Sequence, residues 1–121
     1  MIPSRLILFA HGSREAAWRA PFEKLMQDLA TRLGLESVAI AYLDHCPPTL
    51  DEVADAAVQD GMKKLVVLPL FFSGGGHVSR DVPKVIADIA LRCPELNIEI
   101  QPAIGEWPEF ADMIAARLKH D

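Results

Sequence analysis

The stretch VVLPLFFSGGGHVSRDVP, residues 66–83, decides the fold. An apolar run of strand length ends in three glycines and a histidine, and helical spacing follows. The stretch LILFAHGSRE, residues 6–15, repeats the theme: an apolar run, then His-Gly. Neither run alternates between apolar and polar residues, as a strand with one wet face would. Continuous apolar strands belong to sheets covered on both faces, where crossover connections carry helices.

Working outward, residues 37–43 hold a third such run, VAIAYL, and residues 97–104 a fourth, more alternating segment. Helical stripes separate them. Phe22, Leu25, Met26, Leu29 and Leu33 recur at three- and four-residue steps, as do Leu50, Val53, Ala54, Ala57 and Val58. Thr49 with Glu52 forms a capping box before the second stripe, and Gly61 stands where that helix stops. Val82, Val85, Ile86 and Ile89 make a third stripe ahead of Pro94. Phe110, Met113, Ile114 and Leu118 make a fourth, with Pro108 suited to its first turn. The alternation βαβαβαβα predicts an α/β fold of three layers: a four-stranded parallel sheet in the order 2-1-3-4, helices on both faces, like half of a flavodoxin-type fold. No repeat, linker or low-complexity segment divides the chain, so residues 1–121 read as one domain.

The chain has 121 residues, half of them hydrophobic and 24% charged, with a net charge of −5. That charge speaks against general nucleic-acid binding. No apolar run reaches the roughly 18–20 residues that span a bilayer. The N-terminal apolar stretch reads as a first strand rather than a leader, which predicts a cytoplasmic protein. Cys46 and Cys93 lie far apart and form no metal or disulfide framework.

Ligands of such sheets bind beyond the carboxyl ends of the strands, at the point where the strand order reverses. Strands 1 and 3 flank that point. His11 follows strand 1 directly and His77 follows strand 3 after Gly74, Gly75 and Gly76, so the two imidazoles face a common cleft. YLDHCPP adds Asp44 and His45 beyond strand 2, where Asp44 serves a metal or begins a turn. Imidazole binds divalent transition metals and exchanges protons near neutral pH. The glycines allow close approach to a bulky ligand but match no nucleotide-binding signature. His45 and His120 read as bystanders. Glu15, Asp51, Glu52 and Asp55 read as partners of helix dipoles in first turns.

AHGSR, YLDHCPPTL and PLFFSGGGHVSRDVP, in this order and spacing, resemble the small CbiX-type sirohydrochlorin chelatases. The resemblance implies a class II chelatase fold and the ATP-independent insertion of a divalent metal, Co2+ or alternatively Fe2+ or Ni2+, into sirohydrochlorin during cobalamin- or sirohaem-type tetrapyrrole biosynthesis. The enzyme is then a lyase of cobaltochelatase or ferrochelatase type, with the metal as substrate and no organic cofactor. The metal-binding and catalytic histidines of the family fall on His11 and His77. Asp44 stands where many relatives carry Glu. A single short domain of this kind is expected to pair as a homodimer.

On this reading His11, His77 and Asp44 receive the metal, and one histidine accepts a pyrrole proton. The carboxylate-rich macrocycle calls for cations, and Arg14 and Arg80 each stand three residues beyond a site histidine. Ser13, at the start of the first helix, adds anion-binding donors. The alternative from another class is a carrier that binds metal or tetrapyrrole without chemistry. Phosphoryl transfer through His11 is disfavoured, because histidine phosphatases place Arg before His-Gly and Ala10 stands here.

Overall fold

A computed structural model gives the structure; it describes residues 3–34, 37–72 and 77–119, and only the backbone of residues 77–80. Strands β1 (Ser4–Ala10), β2 (Val38–Tyr42), β3 (Lys64–Pro69) and β4 (Asn97–Ile100) form one parallel sheet in the order β2-β1-β3-β4. Helices α1 (Ala16–Leu33), α2 (Leu50–Gln59) and α3 (His77–Arg92) make the crossovers, and α4 (Pro108–Leu118) closes the order. The predicted fold class and strand order are those observed.

The central strands are buried on both sides, as their continuous apolar runs require. Ile7, Phe9, Leu65 and Val67 face one layer, where Val53, Ala54 and Ala57 of α2 and Val82 and Ile89 of α3 close over them. Leu8, Val38 and Leu68 face the other, against Ala30 of α1. Residues 7 to 10 are at most 1% exposed, and burial of each large apolar side chain contributes about 1.5–3 kcal/mol. The apolar residues of β1 thus fix the position of whatever follows Ala10.

Local signals set the helix ends. The Thr49 hydroxyl accepts from the Glu52 N–H at 3.2 Å while the Glu52 carboxylate accepts from the Thr49 N–H at 2.9 Å, completing the capping box. Gly61, at φ +80°, stops α2. Glu15 is the N-cap of α1 rather than a member of its first turn. Asp55 lies beyond the first turn of α2 and, with Asp51, grips the Arg92 guanidinium at 2.7 and 2.8 Å. This fork ties the end of α3 to α2, a role that helix-dipole reasoning on Asp55 did not foresee.

Two departures from the sequence expectation stand out in this region. β3 ends at Pro69 and β4 at Ile100, while residues 104–106 form a 3-10 turn. The chain leaves β4 because Gly105 packs on the backbone of Phe72, where a Cβ would collide, and the Gly105 N–H donates to the Phe71 carbonyl at 3.0 Å. The second difference concerns α4. Its stripe does not cover the sheet: none of its residues is buried, and its main packing partner is the 3-10 turn before it. Among the described residues no helix is long and apolar enough to cross a membrane.

Tyr42, at the end of β2, is buried, and its hydroxyl finds no hydrogen-bond partner among the described residues. Burial foremost, with Glu23 and Cys46 nearby, pushes its pKa above the ordinary 10.0, against a smaller opposing effect of Arg19. The folded protein therefore holds this proton more tightly than the unfolded chain. The resulting stability is fully present below pH 10 and is lost as pH rises through the folded value. Tyr42→Phe is expected to change unfolding free energy by no more than about 1 kcal/mol at pH 7 and to retain more stability than wild type above pH 10. Urea unfolding at both pH values checks this.

Candidate active site

The sheet ladder continues past the strands. Beyond β1, the carbonyl of Ala10 accepts from the Leu43 N–H at 2.8 Å, and that of His11 accepts from the Asp44 N–H at 2.9 Å. On the other side the Phe9 carbonyl accepts from the Leu70 N–H at 2.8 Å. These bonds bring the residues after β1, β2 and β3 into register, so the sequence His11-Gly12 lies beside Asp44-His45. Gly12 makes the approach possible. It is buried, sits at φ +98°, and a Cβ there would run into the Asp44 carbonyl oxygen. Both the backbone conformation and the space exclude a side chain.

His11 is held by its neighbours. The Phe71 ring meets its imidazole edge-on, with centroids 4.7 Å apart and planes at 65°, and Phe71 packs in turn on Phe9 at 6.1 Å. Such contacts are worth about 0.5–1.5 kcal/mol beyond the buried area and set ring orientation. Phe71 is buried, so the brace is part of the core.

Two clefts flank this position. One, of about 530 Å3, is lined by His11, Leu43, Asp44 and His45 and, from the first turns of α3, by Asp81, Lys84 and Val85. The other, of about 750 Å3, runs from His11 through Gly12, Ser13, Arg14 and Glu15 to Trp18 and back to His45. His11 and His45 belong to both. The volumes lie in the range of small-molecule sites, and the mixed lining suits a ligand with an apolar plate and charged edges.

The structure thus brings His11 and Asp44 together in one cleft and Ser13 and Arg14 beside His11 in the other. The Ser13 hydroxyl is already engaged, accepting from the Glu15 N–H at 3.1 Å, while the Ser13 carbonyl accepts from the Arg19 guanidinium at 2.8 Å. Ser13 therefore shapes the loop, and Arg19 clamps it. Gly74, Gly75 and Gly76 lie outside the described residues. His77 and Arg80 are the first and fourth residues of α3, and their side chains lie outside the described part. Among the described residues no three His, Cys, Asp or Glu side chains are placed to hold a metal.

Sequence reasoning missed several residues. His45, dismissed as a bystander, lines both clefts. It adopts φ +74°, in the left-handed region that non-glycine residues avoid. Asp44 holds that conformation by accepting from the His45 N–H at 2.8 Å; its other oxygen is 3.9 Å from His45 Nε2, and both side chains are more than half exposed. A pair so open is weak, so the carboxylate acts here chiefly on the backbone. Asp81 and Lys84 were also missed, although they stand four and seven residues after His77, the spacing of one helix face. Trp18 went unnoticed as well; its indole packs on Phe22 at 4.6 Å and offers a flat wall to the second cleft.

The model of the CbiX family matches residues 5–121. The chain belongs to the CbiX family. A sirohydrochlorin cobaltochelatase of Saccharolobus islandicus is 32% identical over 119 residues, covering 93% of this chain and 91% of that one. A second sirohydrochlorin cobaltochelatase, from Methanopyrus kandleri, is 33% identical over 81 residues, 67% of this chain and 57% of the relative. A CbiX protein of Marinobacter aquaeolei VT8, described as a protein of cobalamin (vitamin B12) biosynthesis, superposes with a TM-score of 0.85 over 97% of this chain and 93% of its own, at 33% identity. The Bacillus subtilis sirohydrochlorin chelatase SirB, in complex with cobalt, shares the fold at a TM-score of 0.82, and this CbiX chain spans 50% of it. The chain spans between half and two thirds of several of the relatives it matches.

Gly12→Ala is expected to cost about 2 kcal/mol or more, because the left-handed backbone and the lost space act together. Chemical denaturation checks the cost. Near-ultraviolet circular dichroism of the folded fraction should change as the Asp44 loop moves away.

Proposed function

We propose that this CbiX chain inserts a divalent metal into sirohydrochlorin without ATP, with Co2+ the first metal to test and Fe2+ or Ni2+ the alternatives. The reading rests on one observation above all: in a member of this family, His11 and Asp44 share a cleft with the opening turns of α3, at the carboxyl ends of the three adjoining strands. The near full-length similarity to the Saccharolobus cobaltochelatase supports the reaction and favours cobalt.

The reaction exchanges two pyrrole N–H protons for one M2+, so the site must receive an ion, hold a ring and take up protons. His11 is the described imidazole whose orientation is set in advance, by Phe71. With His77 it accepts the metal from solvent, and one of the two then takes a pyrrole proton, as a neutral imidazole near pH 7 does well. Asp44 adds negative charge next to His11, which favours an incoming dication. Gly74, Gly75 and Gly76 let the macrocycle approach, Trp18 supplies a flat apolar surface, and Arg14, Arg80 and Lys84 pair with its carboxylates. Residues 1–121 act as one CbiX-type domain in the cytoplasm, in two copies.

In an anaerobic insertion assay followed by tetrapyrrole absorbance, His11→Ala and His77→Ala are each expected to lower turnover at least about 100-fold, with unchanged circular dichroism. Wild-type rates from folded variants would sink the assignment. Lys84→Ala is expected to raise KM for sirohydrochlorin several-fold with kcat nearly unchanged, the signature of lost ground-state binding. An unchanged KM removes Lys84 from the site.

A further inference from the structure

His45 is an imidazole that the proposed reaction leaves unused. It lines both clefts, as His11 does, and its backbone holds the left-handed conformation at φ +74°. A turn that needs only this conformation is served at less cost by glycine or asparagine. The imidazole is more than half exposed, so core packing does not account for it either. The carboxylate before it does. Oδ1 of Asp44 accepts from the His45 N–H at 2.8 Å and fixes the two residues against each other, while Oδ2 stands 3.9 Å from His45 Nε2.

A divalent ion of zinc's size holds imidazole nitrogen and carboxylate oxygen at about 2.0–2.2 Å, which sets two such donors roughly 3–4 Å from each other. The Asp44–His45 pair therefore stands at chelating distance. As an ion pair it is weak because water reaches it; for an ion that arrives with its hydration shell, the same exposure is the way in. Among the described residues no third His, Cys, Asp or Glu side chain completes a metal site here. Two protein donors hold an ion loosely, as a site that must pass it on requires. Imidazole beside carboxylate also selects first-row transition metals over Mg2+, which prefers oxygen alone.

We infer that Asp44 and His45 form an outer site, which captures a hydrated divalent transition-metal ion where the two clefts meet and delivers it to His11. The inference rests on the metal-insertion reading given above and adds an entry step to it. Asp44 belongs to both positions. The ion exchanges His45 for His11 while the carboxylate stays bound, so it does not return to bulk solvent between capture and use. Each step replaces one ligand of the ion by another.

Calorimetry with Co2+ alone, without tetrapyrrole, tests this. The double variant His11→Ala/His77→Ala, which dismantles the inner site, is expected to bind one Co2+ that excess Mg2+ does not displace. Adding His45→Asn, a side chain that tolerates the left-handed backbone, should weaken that binding at least about tenfold with unchanged circular dichroism. In the otherwise native chain, His45→Asn should raise KM for Co2+ several-fold and leave KM for sirohydrochlorin as it is; this arm does not depend on the folding of the multiple variants. No Co2+ bound without the inner site, equal affinity with and without His45, displacement by Mg2+, or an unchanged KM for Co2+ overturns the outer site while metal insertion itself stands. A wild-type chain that binds Co2+ through His45 yet inserts none overturns the insertion reading and the delivery step with it, and leaves Asp44 and His45 as a metal-binding site.

Discussion

The hydrogen bond from the Asp44 N–H to the His11 carbonyl, 2.9 Å long, is the link on which the site depends. It carries the parallel ladder past the end of the sheet and binds two loops that are 33 positions apart in sequence. Through it the rigidity of β1, buried on both faces, reaches the imidazole and the carboxylate that line one cleft. Gly12 is the condition for that bond, since any side chain there would push the Asp44 carbonyl away. The His-Gly pair is therefore one structural unit: the histidine lines both clefts and the glycine supplies the proximity.

The fold was legible because its signals are redundant. Residues 6–10, 38–42 and 65–69 are apolar without alternation, which only a sheet covered twice explains, and right-handed crossovers then leave few strand orders. Thr49, Glu52 and Gly61 punctuate α2 by local chemistry alone. That His11 and Asp44 line a common cleft was legible for a related reason. Strand ends in such sheets are where ligands bind, and His11 is the first residue after β1 and Asp44 the second after β2. Gly74, Gly75, Gly76 and the side chains of His77 and Arg80 lie outside the described residues, so that part of the reading stands on sequence.

What the sequence concealed depended on tertiary placement. His45 looked incidental because its position follows from an unusual backbone angle, held by the side chain of the residue before it. Lys84 and Asp81 were passed over in the sequence, and only the packing of α3 places them on the cleft. Phe71 and Phe72 read as two more residues of a strand. In the structure the strand has already ended, and the pair divides between bracing His11 and meeting α4. The α4 stripe misled most. Its spacing is that of a core helix, yet the turn at Ile104–Glu106 carries the chain off the sheet before α4 begins, so a pattern written for burial faces outward.

These elements describe a small scaffold that prepares one imidazole in advance and leaves wide clefts on both sides of it. On the proposed function, preorganisation of this kind lowers the cost of placing a metal and aligning a proton acceptor. The most direct measurement mixes the purified chain anaerobically with excess sirohydrochlorin and Co2+ and follows the tetrapyrrole spectrum. The account predicts many turnovers per chain at a rate well above the uncatalysed reaction. A spectral change that stops at one ligand per site, with no acceleration, would contradict it and make His11 part of a binding protein.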